Sequence, residues 1–260
     1  MPLSDEVQVK IAITELSGKT LDTFLLEDLR PEICIEGPEI RYFDRDACRR
    51  LANLFGFRRL PVTFHAPFLR LDPGSPDRPS RDYAKDYLER TVRLAEYFQP
   101  LTVVCHAGPL YGMNATEQEQ WNERSLPIWQ WMEQACQDIG AVLTLENVLH
   151  DQPATMAPLF AELDHARWCF DVGHVHAFSK VDQSEWTDAL GSQLGQLHLH
   201  DNHGTGDQHL PVGHGSVQYS RLMTSLAPLP RPVATTMEVH YRHELAASVE
   251  YLEPLWPWPL

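Results

Sequence analysis

Lysine is scarce in this sequence. Four of its 260 residues are lysine (Lys10, Lys19, Lys85 and Lys180), and the formal net charge is −15. So acidic a surface repels phosphate backbones and anionic lipid, which argues against nucleic acid or a membrane as partner. Bound metal cations would reverse that sign inside a single cleft. Cysteine is sparse and unpaired in pattern. The five present, Cys34, Cys48, Cys105, Cys136 and Cys169, form no CxxC. An odd count without framework spacing excludes a disulfide scaffold and fits buried thiols in a reducing compartment, so the expected location is cytoplasmic. No apolar run nears the ~20 residues of a membrane span, and MPLSDEVQVK has no apolar signal core. Linkers, low-complexity tracts and signs of a second domain are missing. So is a GxGxxG turn: ITELSGKT follows the first strand candidate, where an open dinucleotide-binding sheet would usually carry one.

What the sequence does have is alternation. Short apolar runs rich in β-branched or aromatic residues read as strands at 7–13, 32–37, 61–66, 101–107, 141–147, 167–173, 195–201 and 232–239. Between them lie helical patterns, clearest at 81–98 and 117–139, with shorter ones at 44–55, 155–163, 184–194, 216–227 and 243–255. Eight strand–helix units predict an α/β fold, a single (β/α)8 TIM barrel spanning 1–260 as one domain. The tail PLWPWPL is expected to lay its tryptophans on the barrel exterior.

Ionisable residues fall at the ends of those strands. His65, His106, Glu146, Asp171, His198 and Glu238 close strands three to eight, at spacings of 41, 40, 25, 27 and 40 residues. C-terminal strand ends converge at the mouth of a barrel. Buried charges are costly unless paired or metal-bound, and clustered carboxylates repel one another. A divalent cation answers both problems. Imidazole with carboxylate suits zinc, manganese or iron, and no cysteine joins the candidates, which excludes a structural Cys-type zinc site. The stretch HLHDNHGTGDQHLPVGHG, 198–215, holds five histidines and four glycines. In it Asp207 and His209 are placed to reach back over the mouth, with Gly204, Gly206, Gly213 and Gly215 allowing close approach. His174, three residues past Asp171, gives the sixth strand a second ligand.

The phrases FHAPF, VVCHAG, LTLENV, FDVGH, LHLHDN, DQH, GHG and TMEV occur in an order that resembles the xylose isomerase-like TIM barrels, a superfamily that includes endonuclease IV (AP endonuclease family 2). The resemblance covers most of the barrel. It implies a three-zinc ligand set of His65, His106, Glu146, Asp171, His174, His198, Asp207, His209 and Glu238 if the chain follows endonuclease IV. It implies one ion on Glu146, Asp171, His198 and Glu238 if it follows the sugar isomerases and epimerases.

Two reactions follow. In the isomerase reading, one zinc or manganese ion grips adjacent sugar oxygens, and Glu146 and Glu238 remove and return a proton across a metal-stabilised enediolate. His174 orients a substrate hydroxyl, and His65, His106 and His200 line the substrate pocket. A sugar phosphate needs a basic group, for which Arg70 and Arg242 are the nearest candidates, no lysine standing at a strand C-terminus. In the phosphodiesterase reading, up to three metals share all nine ligands and act on a small phosphodiester or abasic DNA. Phe68 and Leu69 then stand where endonuclease IV probes the abasic gap, although an apolar pair is ordinary loop packing too. The acidity and the paired glutamates favour the isomerase with a small sugar-like substrate. Oligomeric state is left open, a homo-oligomer included. His176 and His200 face the pocket or merely pack; Asp201 and Asn202 orient imidazoles or form an Asx turn. His150, His165, His203, His240 and His243 read as surface or rim groups. A metal-binding barrel without turnover is the weakest reading, because both glutamates are present.

Overall fold

A computed structural model describes residues 2–41, 43–108, 113–239 and 242–260. Eight parallel strands close on themselves in sequence order: β1 Gln8–Ala12, β2 Arg30–Cys34, β3 Thr63–His65, β4 Thr102–His106, β5 Val142–Glu146, β6 Arg167–Asp171, β7 Leu194–Leu199 and β8 Ala234–Met237. The seam is the β1–β8 pair, with Gln8 beside Thr236 and Val9 beside Met237. Helices cover the outside: α1 Gly18–Leu26, α2 Arg45–Arg58, α3 Arg78–Ala95, α4 Ala115–Asp138, α5 Ala157–Ala161, α6 Val172–Phe178, α7 Gln183–Leu190, α8 Tyr219–Leu226 and α9 Arg242–Leu252. The expected TIM barrel is the fold observed.

The alternation of side chains along a strand gives the barrel two kinds of core. Outward-facing Ile33, Phe64, Val103, Leu143, Leu145, Trp168, Phe170, Leu197 and Leu199 are buried beneath the helices. Fully burying such a side chain contributes roughly 1.5–3 kcal/mol. Trp121, Trp129, Trp168 and Trp186 are the largest anchors of this layer. The opposite parity points to the axis and is largely polar: Gln8, Glu32, Thr63, Thr102, Thr144, Gln196 and Thr236 are all buried. Hydrogen bonds cross the barrel between them. Thr102 Oγ1 donates to Gln196 Oε1 at 2.6 Å, and Thr236 Oγ1 donates to Glu32 Oε2 at 2.8 Å.

Helix starts are specified locally. Asn114 and Glu117 form a reciprocal capping box at α4. Asp171 caps α6, its Oδ1 accepting the backbone N–H of His174 at 2.7 Å. The sixth strand therefore ends at Asp171, not at Gly173 as the sequence suggests. The expectation also omits α1 and α6, and it places the second strand two residues late. Segment 155–163 holds only the five-residue α5, with a tight turn at Pro153–Thr155 before it. The C-terminal tail packs as expected: Trp258 is buried and its Nε1 donates to Leu229 O at 3.1 Å. No helix among the described residues is long and apolar enough to cross a membrane.

Candidate metal centre

The strand register brings the sequence candidates to one end of the barrel. His106 is opposite Glu146, and Asp171 is opposite His198. Glu238 follows β8 directly, its N–H bonded to Leu199 O at 3.1 Å. Contacts then link all nine. His65 Nε2 is 3.1 Å and His106 Nε2 3.3 Å from Glu146 Oε2. His198 Nδ1 stands 3.1 Å from Glu238 Oε1, 3.5 Å from Glu146 Oε1 and 3.8 Å from Asp171 Oδ2. His174 Nδ1 is 3.3 Å from Glu146 Oε1 and 3.4 Å from Asp171 Oδ2, while its Nε2 is 3.3 Å from Asp207 Oδ2. His209 lies 3.1 Å from Asp207 Oδ2 and 3.3 Å from Glu238 Oε2.

The outer members sit on a tethered loop. Buried Asp201 accepts the backbone N–H groups of Asn202 at 2.8 Å, Gly213 at 3.0 Å and Val217 at 3.1 Å, and its own backbone pairs with Leu210. Gly215 is needed there: a Cβ would lie 2.2 Å from Asp201 Oδ1. Gly206, by contrast, faces open space. Asp201 and Asn202 thus shape the loop and do not orient imidazoles. Asn202 donates to Gly173 O at 2.8 Å.

Electrostatics follow from burial against charge. Burial resists ionisation of Glu146 and Glu238, yet the imidazoles around them, with Lys10 beside Glu238, hold both well below the usual carboxylate range. Burial likewise opposes charge on His174 and His198, but the facing carboxylates raise both well above the usual imidazole value. His106 goes the other way: burial pushes it down to about 3 against the pull of Glu146, so it stays neutral.

These groups fit a divalent cation. Their donors are imidazole nitrogen and carboxylate oxygen. Among the described residues, five overlapping triplets have ligand atoms within 4.8 Å of one another, among them Glu146–Asp171–His198 and His65–His106–Glu146. Buried Glu238 Oε1, His198 Nδ1 and His200 Nδ1 have no hydrogen-bond partner among the described residues, although each has charged groups close by. Unmade bonds at buried polar atoms are costly, and a bound cation would satisfy carboxylate oxygen and imidazole nitrogen.

Above the centre lies a cleft of about 440 Å³. Glu146, His174, Asp207, His209, Glu238 and His106 line its floor. Its walls are mostly apolar, with Phe68, Leu69, Leu149, Phe178 and Trp129. Phe68 stacks on His106 at 4.3 Å between ring centroids. Arg70 is exposed at the lip. His65 and His200 are buried and do not line the cleft; His200 Nε2 is 3.1 Å from Asp171 Oδ1, and its ring stacks on His209 at 4.0 Å. His176 turns away to Ser216 at 2.8 Å. His150 corrects the surface reading, since it is buried, with Nδ1 accepting the Val148 N–H at 3.2 Å. His165, His203 and His243 are exposed. His240 and the Arg242 side chain lie outside the described residues.

Sequence reasoning missed four residues. Lys10 is on β1, two short of its end, and its Nζ reaches Glu238 Oε2 at 3.2 Å and lines the cleft. A lysine therefore stands at the mouth from within a strand, in addition to the Arg70 that the sequence suggests. Its signal was parity: Lys10 alternates with inward-facing Gln8. Glu32 and Gln196 lie beneath His198. Asn147 holds Asp171 from both sides, its Oδ1 accepting the Asp171 N–H at 3.0 Å and its Nδ2 donating to Asp171 O at 2.8 Å. Adjacency to Glu146 was the one clue to it.

A closed parallel barrel with imidazoles and carboxylates ringing its C-terminal mouth defines a TIM barrel bearing a metal-type centre. The chain belongs to the xylose isomerase-like TIM barrel family, whose model matches residues 32–255. An uncharacterised protein of Methanocaldococcus jannaschii, MJ1311, is 23% identical over 231 residues, covering 85% of this chain and 78% of its own. The solved structure of a D-tagatose 3-epimerase-like protein superposes with a TM-score of 0.82 at 19% identity, covering 96% of this chain and 97% of that one. The TTHB071 protein from Thermus thermophilus, soaked with ZnCl2, gives 0.79 at 22% identity, covering 96% and 97%. Sugar epimerases are also among the solved structures that share this barrel.

Proposed function

We propose that the chain, acting as one barrel domain, is a divalent-metal-dependent isomerase or epimerase of a small sugar. The observation that carries this reading is the approach of Glu146, Asp171 and Glu238 to a single imidazole nitrogen, His198 Nδ1, beneath a closed-sided cleft. The D-tagatose 3-epimerase-like neighbour supports the sugar assignment. Glu146, Asp171, His198 and Glu238 would hold the ion, which when bound would act as a Lewis acid, polarising a sugar carbonyl and acidifying the neighbouring C–H.

The chain's own groups do the rest. One of Glu146 and Glu238 accepts the proton from the carbon beside the carbonyl, and the C–H electron pair moves toward the carbonyl oxygen. For an epimer the other glutamate, entering the step protonated, delivers its proton to the opposite face; for an isomer the proton goes to the former carbonyl carbon while the neighbouring hydroxyl proton shifts to the former carbonyl oxygen. Atoms and electrons balance without a further reactant. His174, on the cleft floor beside Asp207, holds a substrate hydroxyl. Phe68 offers an apolar face to sugar C–H bonds. Lys10 fixes Glu238 and, with Arg70 at the lip, keeps sugar phosphates within the substrate class.

The test is exchange of carbon-bound hydrogen. Protein loaded with zinc or manganese is incubated with a panel of ketoses and ketose phosphates in deuterated water, and label is read by NMR. Deuterium should enter beside the carbonyl, and Glu238→Gln should slow it by roughly 10²–10⁴-fold. Full exchange in Glu238→Gln refutes the acid–base assignment. A second reading, a multinuclear phosphodiesterase, is favoured by the five overlapping triplets. Elemental analysis separates the two: about one ion per chain for the isomerase, about three for the hydrolase. Robust nicking of abasic DNA at physiological salt would favour the second.

A further inference from the structure

Glu32 is a charged group on the barrel axis, beneath His198. It is fully buried, and its two oxygens are treated unequally. Oε2 accepts from Thr63 Oγ1 at 3.2 Å, from Thr236 Oγ1 at 2.8 Å and from the Gln196 amide. Oε1 has no hydrogen bond among the described residues. Leaving a buried carboxylate oxygen unbonded carries a large desolvation penalty, so the lopsidedness needs a donor. His198 Nε2, 3.3 Å away, is the ion-pair partner of that oxygen. The other nitrogen of the same ring faces Glu146, Asp171 and Glu238.

We infer that Glu32 is the positioning residue of the metal centre: it takes the Nε2 proton of His198 and so reserves Nδ1 for the ion. Gln196 is the rival for Nε2, its amide nitrogen lying 3.2 Å away. That amide is already oriented and spent. Its oxygen accepts from Thr102 at 2.6 Å, and its two hydrogens face Glu32 Oε2 and Thr236 Oγ1, the latter at 3.2 Å. Nε2 is therefore free to donate, and Oε1, 3.3 Å away and without another donor, is the acceptor assigned to its proton. An imidazole that ligates through one nitrogen and donates through the other to a carboxylate is fixed in both tautomer and ring angle. Glu32 touches neither the cleft nor the ligand point, so its effect reaches the ion through His198 alone.

The inference rests on the metal-binding part of the proposed function and is independent of the reaction. Glu32→Gln tests it with almost no change in volume. Three donors crowd the Oε2 side, so the glutamine oxygen takes that place and its NH2 turns to His198. An NH2 cannot accept from Nε2–H, and the ring is driven to the wrong tautomer. Zinc affinity, measured by competition with a chromophoric chelator, should fall about 10–100-fold. A second readout uses the unaltered protein: long-range proton–nitrogen NMR of the zinc-loaded form, with His198 assigned by the signals lost in His198→Asn. It should show the proton on Nε2 and the ion on Nδ1. Should Glu32→Gln fail to fold, this spectrum decides alone. An ion on Nε2, or a Glu32→Gln protein that folds and binds zinc within threefold of the unaltered chain, overturns the inference and leaves the metal centre standing. A chain that takes up no zinc overturns both.

Discussion

Gly173→Ala sets two effects of known size against each other. Gly173 lies in the first turn of α6, where alanine would ordinarily stabilise a helix by up to about 1 kcal/mol. Its surroundings forbid the methyl group. A Cβ there would stand 2.0 Å from His200 Cε1 and 2.4 Å from Nδ1. The backbone cannot retreat easily, because Gly173 O accepts from Asn202 at 2.8 Å. The ring is equally confined, bonded to Asp171 on one edge and stacked on His209. Overpacking of this kind costs about 1–3 kcal/mol, and losing the His200–Asp171 bond adds about 1.5–3 kcal/mol. Sterics therefore win by about 2 kcal/mol or more. The melting temperature should drop by roughly 4–8 °C, and zinc should bind on the order of tenfold more weakly as Asp171 loses its support. Differential scanning calorimetry and a zinc titration read both. A variant melting at or above the unaltered protein, with equal zinc affinity, would refute the packing of His200 against α6.

Zinc affinity should rise with pH. The carboxylates around His174 and His198 raise both imidazoles, so these rings are protonated at neutral pH without metal, and an ion must displace a proton. The stability those protonated rings give the metal-free chain is complete below the unfolded imidazole value and fades as pH climbs through the raised ones. Each proton released should strengthen binding about tenfold per pH unit, and calorimetry in buffers of different ionisation enthalpy counts them; zero protons would contradict it. Lys10→Met should lower the urea midpoint of the metal-free protein, through loss of about 1–3 kcal/mol at the hydrogen bond to Glu238, and lower it less with zinc bound, since the ion would supply the missing charge. Equal losses in both states would argue against a shared site. Phe68→Ala should raise the KM of whichever sugar is turned over by roughly 2–10-fold with less effect on kcat, because the ring forms a cleft wall. A kcat loss alone would count against it.

The barrel was legible because its strands are short apolar runs that end in ionisable residues, and eight of them alternate with helices. The ligand-type residues were legible for the same reason: a histidine or carboxylate at the last position of a strand has one place to point. Lys10, Glu32 and Gln196 escaped because they sit inside strands, where an inward polar residue looks like any alternating pattern. A polar barrel axis departs from the branched apolar filling such barrels usually have. Asn147 was hidden because its partners, Trp168 and the Asp171 backbone, are distant in sequence. Helix α6 was read as strand because DVG continues an apolar run, and only the Asp171 cap reveals the turn. His150 was misplaced because solvent exposure of a loop histidine depends on what the next loop covers: it packs under Gly108.

The Asp201 clasp makes the centre uneven in stiffness. Three amides gathered on one carboxylate divide residues 202–217 into two small lobes tied at a single knot. Asp207 and His209 ride on the first lobe, whereas Glu146, Asp171, His198 and Glu238 are strung on or beside strands. Loss of these three bonds would loosen both lobes, which the Asp201–Leu210 and Ser216–Asn202 backbone bonds still hold, and leave the strand-borne four in place. An ion held here would therefore have firmer ligands on its strand side than on its loop side, a difference set by a carboxylate outside the ligand set.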